Sequence, residues 1–200
     1  MMIEAIGTLT DKYSTIFWDI YGRYNRCEYE VACEKYKSED FSFLFVMGAD
    51  LDPINRTILG VELVLNEMRG VCQRKFTSKK RKEHLLTHLL VTLGTFAMDG
   101  LHIELKIDPE QKFEEFMRFL LLQNRVYGDE NLIKHGFVGG IVRLGDKLSR
   151  FQSIYGRRAT DTLSVEKAQD AWRDVLGYSI NLVRLYLEGR LSLYGRHGRL

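Results

Sequence analysis

Proline is nearly missing: only Pro53 and Pro109 occur in 200 residues. Proline removes an amide donor and clashes inside a helix, so its scarcity leaves room for long uninterrupted helices. Cysteine is also scarce. Cys27, Cys33 and Cys72 are odd in number and show no metal-ligand spacing, which reads as reduced thiols in a cytoplasmic protein, or in the host cytoplasm if the gene is a phage's. No stretch near the start joins a basic beginning to an apolar run, so no signal peptide is expected. Residues 85–98 form the longest apolar run, but His88, Thr92 and Thr95 interrupt it. It is too short to span a bilayer, and no membrane partner is expected. Without secretion the Asn55-Arg-Thr57 sequon has no meaning. Excess charge of one sign is missing as well: the net charge is +2, which argues neither for nor against nucleic acid. No internal repeat or low-complexity segment occurs.

What is present is ordinary for a globular protein: 45% apolar and 28% charged residues. The length suits one large domain or two small ones. The spacing predicts a helix over 10–24, where Tyr13, Ile16, Phe17, Ile20, Tyr21 and Tyr24 form an apolar stripe. Residues 41–47 fit either a strand or a short buried helix. Asp52 before Pro53 is a helix start, and Ile54, Ile58, Val61, Leu65, Met68 and Cys72 continue with helical period. The basic run 79–82 stands at the front of a helix over 80–98. It is either a solvated helix end or a phosphate or nucleic-acid patch. Asp99-Gly100 is expected to end that helix and 101–107 to form a short strand. Pro109 then opens a helix to about Tyr127, stopped by Gly128. The expectation is an all-α fold with at most one short strand pair. It divides into an N-terminal helical region, 1–105, and a second helical module, 106–200, packed as one body.

Chemistry concentrates in three blocks of the second module. Glu166, Asp170, Asp174 and Tyr178 are spaced by four, which lines them along one helix. Three carboxylates in a row repel unless cations intervene. The row is either a solvated acidic face eased by Lys167 and Arg173, or a place for Mg²⁺, a hard cation that takes carboxylate oxygens and keeps water for phosphates. In the second block Ile141, Leu144 and Leu148 mark a buried stripe. Arg143, Lys147 and Arg150 share another face, with Asp146 beside them. That is either an ion-pair network or a set of phosphate ligands, arginine's planar fork matching two oxygens at once. Residues 134–158 hold six lysines and arginines against the single acid Asp146. Basic residues facing an acidic row suit a metal–triphosphate site. In the first block Asn124 offers donor and acceptor atoms, and Tyr127 a ring and hydroxyl. These suit a base or sugar, although an aromatic beside a helix stop is also ordinary core.

The order Asn-x-x-Tyr-Gly, Arg-x-x-Asp-Lys-x-x-Arg, Glu-x3-Asp-x3-Asp-x3-Tyr resembles the nucleotide-modification-associated domain found largely in phages. That family is grouped with the all-α MazG-like NTP pyrophosphatases. The matching residues are Asn124, Tyr127, Gly128, Arg143, Asp146, Lys147, Arg150, Glu166, Asp170, Asp174 and Tyr178. The likeness covers roughly residues 112–190. It implies a MazG-like helical bundle acting as a Mg²⁺-dependent (d)NTP pyrophosphohydrolase in nucleotide metabolism or phage DNA modification. Asp146, Asp170 and Asp174 are then metal ligands, and Glu166 a further ligand or the base for water. Arg143, Lys147 and Arg150 stabilise phosphate charge, and Asn124, Tyr127 and Tyr178 bind substrate. It also implies a homo-dimer or tetramer. The sequence departs from the pattern where Val126 replaces an acid and where Glu-x-x-Glu is missing after Glu114-Glu115. Those departures favour an alternative, a protein that binds a nucleotide or cyclic nucleotide without catalysis. A third reading, nucleic-acid binding or a scaffold, rests on 79–82 and on Arg190, Arg196 and Arg199. Trp18, Tyr21 and Tyr24 suit either an interface or the core.

Overall fold

The computed structural model describes residues 2–25, 51–76, 78–106, 108–156 and 162–195, with the side chains of 2–9, 25, 127 and 162–165 left aside. The helices are α1 (Met2–Asn25), α2 (Pro53–Gln73), α3 (Lys79–Leu105), α4 (Phe113–Tyr127), α5 (Glu130–Gly156) and α6 (Thr162–Leu187), with a 3-10 turn, Pro109–Lys112, before α4. Among the described residues there is no strand, and the fold is all-α. The segment 41–47, Cys27 and Cys33 lie outside the described residues. Cys72 is a free, half-buried thiol whose burial raises its pKa.

Local chemistry explains several helix ends. The Asp52 carboxylate caps α2 by accepting the Asn55 amide at 3.1 Å, and Pro53 supplies the first turn. Ile58, Val61, Leu65 and Met68 are buried along α2, with Ile54 and Cys72 at the margins. Gly128, at φ 61°, ends α4.

The strand expected over 101–107 is not formed: α3 continues to Leu105, and Lys106 ends it in the left-handed region at φ 53°. Asp99 and Gly100 carry turn-like chemistry but serve tertiary contacts. The Thr57 hydroxyl of α2 donates to the Asp99 carboxylate. Gly100 lies under the Trp172 indole of α6, and a Cβ there would stand 2.4 Å from the ring. Between Leu89 and Leu101, α3 is buried on nearly every side, as suits a helix enclosed by others. Its neighbours are α6, α2 and α1. One buried cluster runs from Tyr13 to Leu193, so residues on both sides of position 105 share a single core. Tyr21 belongs to that core, whereas Trp18 is 39% exposed and leans on Phe113 with ring centres 4.9 Å apart.

The basic run 79–82 is not a uniform patch. Lys82 turns inward, its Nζ donating to the carbonyls of Cys72, at 2.5 Å, and Arg74, at 3.0 Å, at the end of α2. Lys79 lies 3.7 Å from Glu83. Among the described residues, Lys80 and Arg81 face solvent without such contacts.

Two features position the site. First, α5 and α6 run antiparallel. Phe151 stacks on Trp172 at 3.9 Å, and Phe137 meets Tyr186 at 5.8 Å. Second, α5 is kinked at Gly136, whose φ is 63°. Beyond the kink, the freed amides of Phe137 and Val138 donate to the carbonyls of Ser192 (3.0 Å) and Leu193 (3.1 Å). The segment after α6 is thereby laid along α5 and carries Tyr194 to its flank.

Candidate functional site

Ile141, Leu144, Leu148 and Phe151 bury one side of α5. Arg143, Asp146 and Arg150 are exposed on the other, and Lys147 stands half-buried at the edge facing α6. There the Lys147 Nζ donates to the Asp174 carboxylate at 2.6 Å. The basic row and the acidic row therefore meet at one point. Continuing the antiparallel register, Arg143 comes level with the turn of α6 that carries Tyr178, and Arg150 with the turn that carries Asp170. Among the described residues neither arginine has an ion-pair partner.

The acidic row is divided among different neighbours. Glu166 is exposed. Asp170 has a 67% exposed side chain and lies 3.7 Å from Arg173. Arg173 in turn donates to Glu115 of α4 at 2.8 Å, and the Lys112 hydrogen bond, with Arg173 beside it, holds that carboxyl below its ordinary pKa. Asp174 is neutralised by Lys147, and Tyr178 packs against the core. Asp146 faces another way, into the groove between α5 and α2. Among the described residues no three His, Cys, Asp or Glu side chains gather where one metal ion could bind them. Asp146, Asp170 and Asp174 therefore do not converge into a Mg²⁺ cage made by the protein alone.

The groove between α2 and α5 is an open cleft of about 610 Å³ lined by Arg69, Asp146, Ser149, Val138, Val142 and Tyr194. Arg69 reaches across from α2. Its guanidinium passes so close to Gly145 that a Cβ there would stand 2.8 Å from Nη2. Its hydrogen-bond partner among the described residues is the Asn66 amide oxygen, at 3.0 Å. The sequence contains little to single out Arg69, one of many exposed cations. Tyr194 owes its place to the Gly136 kink, which has no local signature.

Asn124 is engaged elsewhere. Its amide donates to Asp129 at 2.7 Å. Asp129 also accepts from Arg184, and from Arg190 at 2.7 Å. Arg184 and Arg190 share Glu188 at 3.1 Å each, and Lys12 reaches Glu188 at 2.9 Å. Arg184 is 2% exposed, its guanidinium 5.1 Å from the Tyr13 ring centre. Burial pushes the Tyr13 hydroxyl pKa up to about 12, although Arg184 works against that, and the hydroxyl donates to Asn181 at 2.8 Å. This buried ionic cluster ties α1, the α4–α5 turn and the end of α6 together. It lies ten residues along α6 from Asp174, about 15 Å at the helical rise. Asn124 is thus held as a structural partner of Asp129, away from the basic row. The Tyr127 side chain, Arg157, Arg158, Arg196 and Arg199 lie outside the described residues.

Among the described residues no helix is long and apolar enough to cross a membrane. No protein-family model, no curated protein and no solved structure matches this chain.

Proposed function

We propose that this chain binds a nucleotide, with its phosphates on the basic face of α5 and its base and sugar in the α2–α5 cleft. The observation that carries this reading is an open cleft of about 610 Å³ lined by Arg69 and Asp146, with Arg143 and Arg150, which have no ion-pair partner among the described residues, exposed on the adjoining side of α5. Its volume falls within the roughly 300–1,000 Å³ of small-molecule sites. Unpaired guanidinium groups suit phosphate because their donors are fixed in a fork. Asp146 offers acceptors for sugar hydroxyls, and Tyr194 an exposed ring for a base. Titration calorimetry with the common NTPs and dNTPs in EDTA tests the reading. Binding that weakens about tenfold or more when Arg69 or the Arg143–Arg150 pair becomes alanine supports it, since a hydrogen bond to a charged group contributes about 1.5–3 kcal/mol. Unchanged binding in those variants overturns the site.

A second reading is Mg²⁺-dependent hydrolysis of (d)NTP to the monophosphate and pyrophosphate, as the family resemblance implies. Glu166 and Asp170, exposed on the helix adjoining the basic face, favour it. Chromatography of nucleotides incubated with Mg²⁺ and with EDTA separates the two, because only hydrolysis yields a metal-dependent product. A cytoplasmic setting and a dimer or tetramer accompany both readings, and sedimentation analysis tests the assembly.

A further inference from the structure

On α3, close to Asp19 and Arg23 of α1, His84 and His88 stand one helical turn apart, and their Nε2 atoms lie 3.0 Å from each other. The rings meet edge to face, with centroids 4.5 Å apart and planes at 89°. Both residues are exposed. At this distance one Nε2–H donates to the lone pair of the other Nε2. If the donor ring instead carries its proton on Nδ1, both Nε2 lone pairs become free and neither ring changes charge. Two neutral imidazoles one helical turn apart, turned slightly so that both Nε2 lone pairs meet one ion, are a chelate for a borderline metal ion.

The spacing selects among such ions. With metal–nitrogen bonds of about 2.0–2.1 Å, nitrogens 3.0 Å apart subtend roughly 90–97° at the metal. That matches adjacent positions of a square-planar or octahedral shell. A tetrahedral ion, at about 109°, needs the nitrogens roughly 3.3–3.4 Å apart. We propose that His84 and His88 form a two-imidazole site for Cu²⁺ or Ni²⁺, with the remaining coordination positions taken by water. Tetragonal nitrogen and oxygen donors are the preference of these two ions, and Cu²⁺ stands highest in the affinity order of divalent metals.

The surroundings suit this role. Partial burial, with His84 and Arg23 nearby, lowers the His88 pKa below the ordinary imidazole value, while Asp19 of α1 opposes the shift. Among the described residues no third His, Cys, Asp or Glu joins the pair, so the site is a surface chelate that leaves coordination positions open. It is independent of the nucleotide reading.

The test uses the full chain with each metal ion alone, without nucleotide. Calorimetric titration with Cu²⁺, and separately with Ni²⁺ and Zn²⁺, gives the affinities, and the Cu²⁺ electron-spin spectrum counts coordinated nitrogens. The account expects a tetragonal spectrum with two imidazole nitrogens. It expects Ni²⁺ to bind more tightly than Zn²⁺. His84→Ala or His88→Ala is expected to weaken Cu²⁺ binding at least as much as loss of an outer-shell partner does, about 10–100-fold, and His102→Ala to leave it unchanged. Circular dichroism checks that the variants stay folded, which exposed positions favour. Cu²⁺ binding unchanged in the His84→Ala/His88→Ala double variant overturns the site. Tighter Zn²⁺ than Ni²⁺ binding at these residues overturns the geometric assignment.

Discussion

At the scale of single residues, the most consequential contacts are ionic and buried. Asp129 neutralises Arg184, whose guanidinium is almost wholly enclosed and whose Nε has no partner among the described residues. Removing Asp129 leaves the enclosed Arg184 with Glu188 as its remaining carboxylate partner, and breaking a buried pair costs up to about 3–5 kcal/mol. Asp129→Ala is expected to lower the unfolding free energy by about that amount in urea titrations, while Asp170→Ala, at an exposed position, shifts it little. Glu188 adds a pH dependence. Burial works to raise its pKa, but the Lys12 hydrogen bond, Arg184 and Arg190 outweigh that and hold it below the ordinary carboxylate value. The unfolded chain therefore binds this proton more readily than the folded one. The resulting stability is complete above the unfolded carboxylate pKa and is lost as pH falls through the folded value. Between about pH 5 and pH 3 the wild type should lose more stability than Glu188→Gln does, as chemical denaturation at each pH will show.

At the scale of elements, α3 shows why part of the fold was hidden in the sequence. The stripes of α1 and α2 are legible because one face is buried and the other is wet. In α3 nearly every position from Leu89 to Leu101 is enclosed, so periodicity fades and Asp99-Gly100 reads as a stop. Gly100 is there for the Trp172 indole instead. Gly100→Ala should destabilise the protein by about 1–3 kcal/mol, the range for overpacking a close interface. A thermal midpoint equal to the wild type's would show that α3 and α6 do not meet as described. The helices α5 and α6 were legible to a different degree. Spacing shows which residues share each helix, but not which neighbours they meet. Lys147 faces Asp174, whereas Asp146 lines the cleft against α2. Residues 146 and 147 point about 100° apart on a helix, but which helix each one meets is set by tertiary packing and not by their spacing.

At the scale of the whole molecule, the contacts that tie the helices together join distant parts of the chain. Arg184 and Asp129 are separated by 55 positions, and Lys12 and Glu188 by 176. No local pattern announces such pairs, so the ionic cluster that holds Asn124 was invisible beforehand. The cleft is equally non-local: α2 supplies Arg69, α5 supplies Asp146, and the segment beyond α6 supplies Tyr194. The nucleotide proposal is therefore a claim about three chain segments acting together. Its most direct test is titration of NTPs and dNTPs into the wild type and into Arg69→Ala and Arg143→Ala/Arg150→Ala, in EDTA, at low and high salt. The account predicts saturable binding by the wild type that weakens about tenfold or more in each variant and falls as salt screens the exposed arginines. Absence of binding to any nucleotide, or equal affinity in all three proteins, would contradict it.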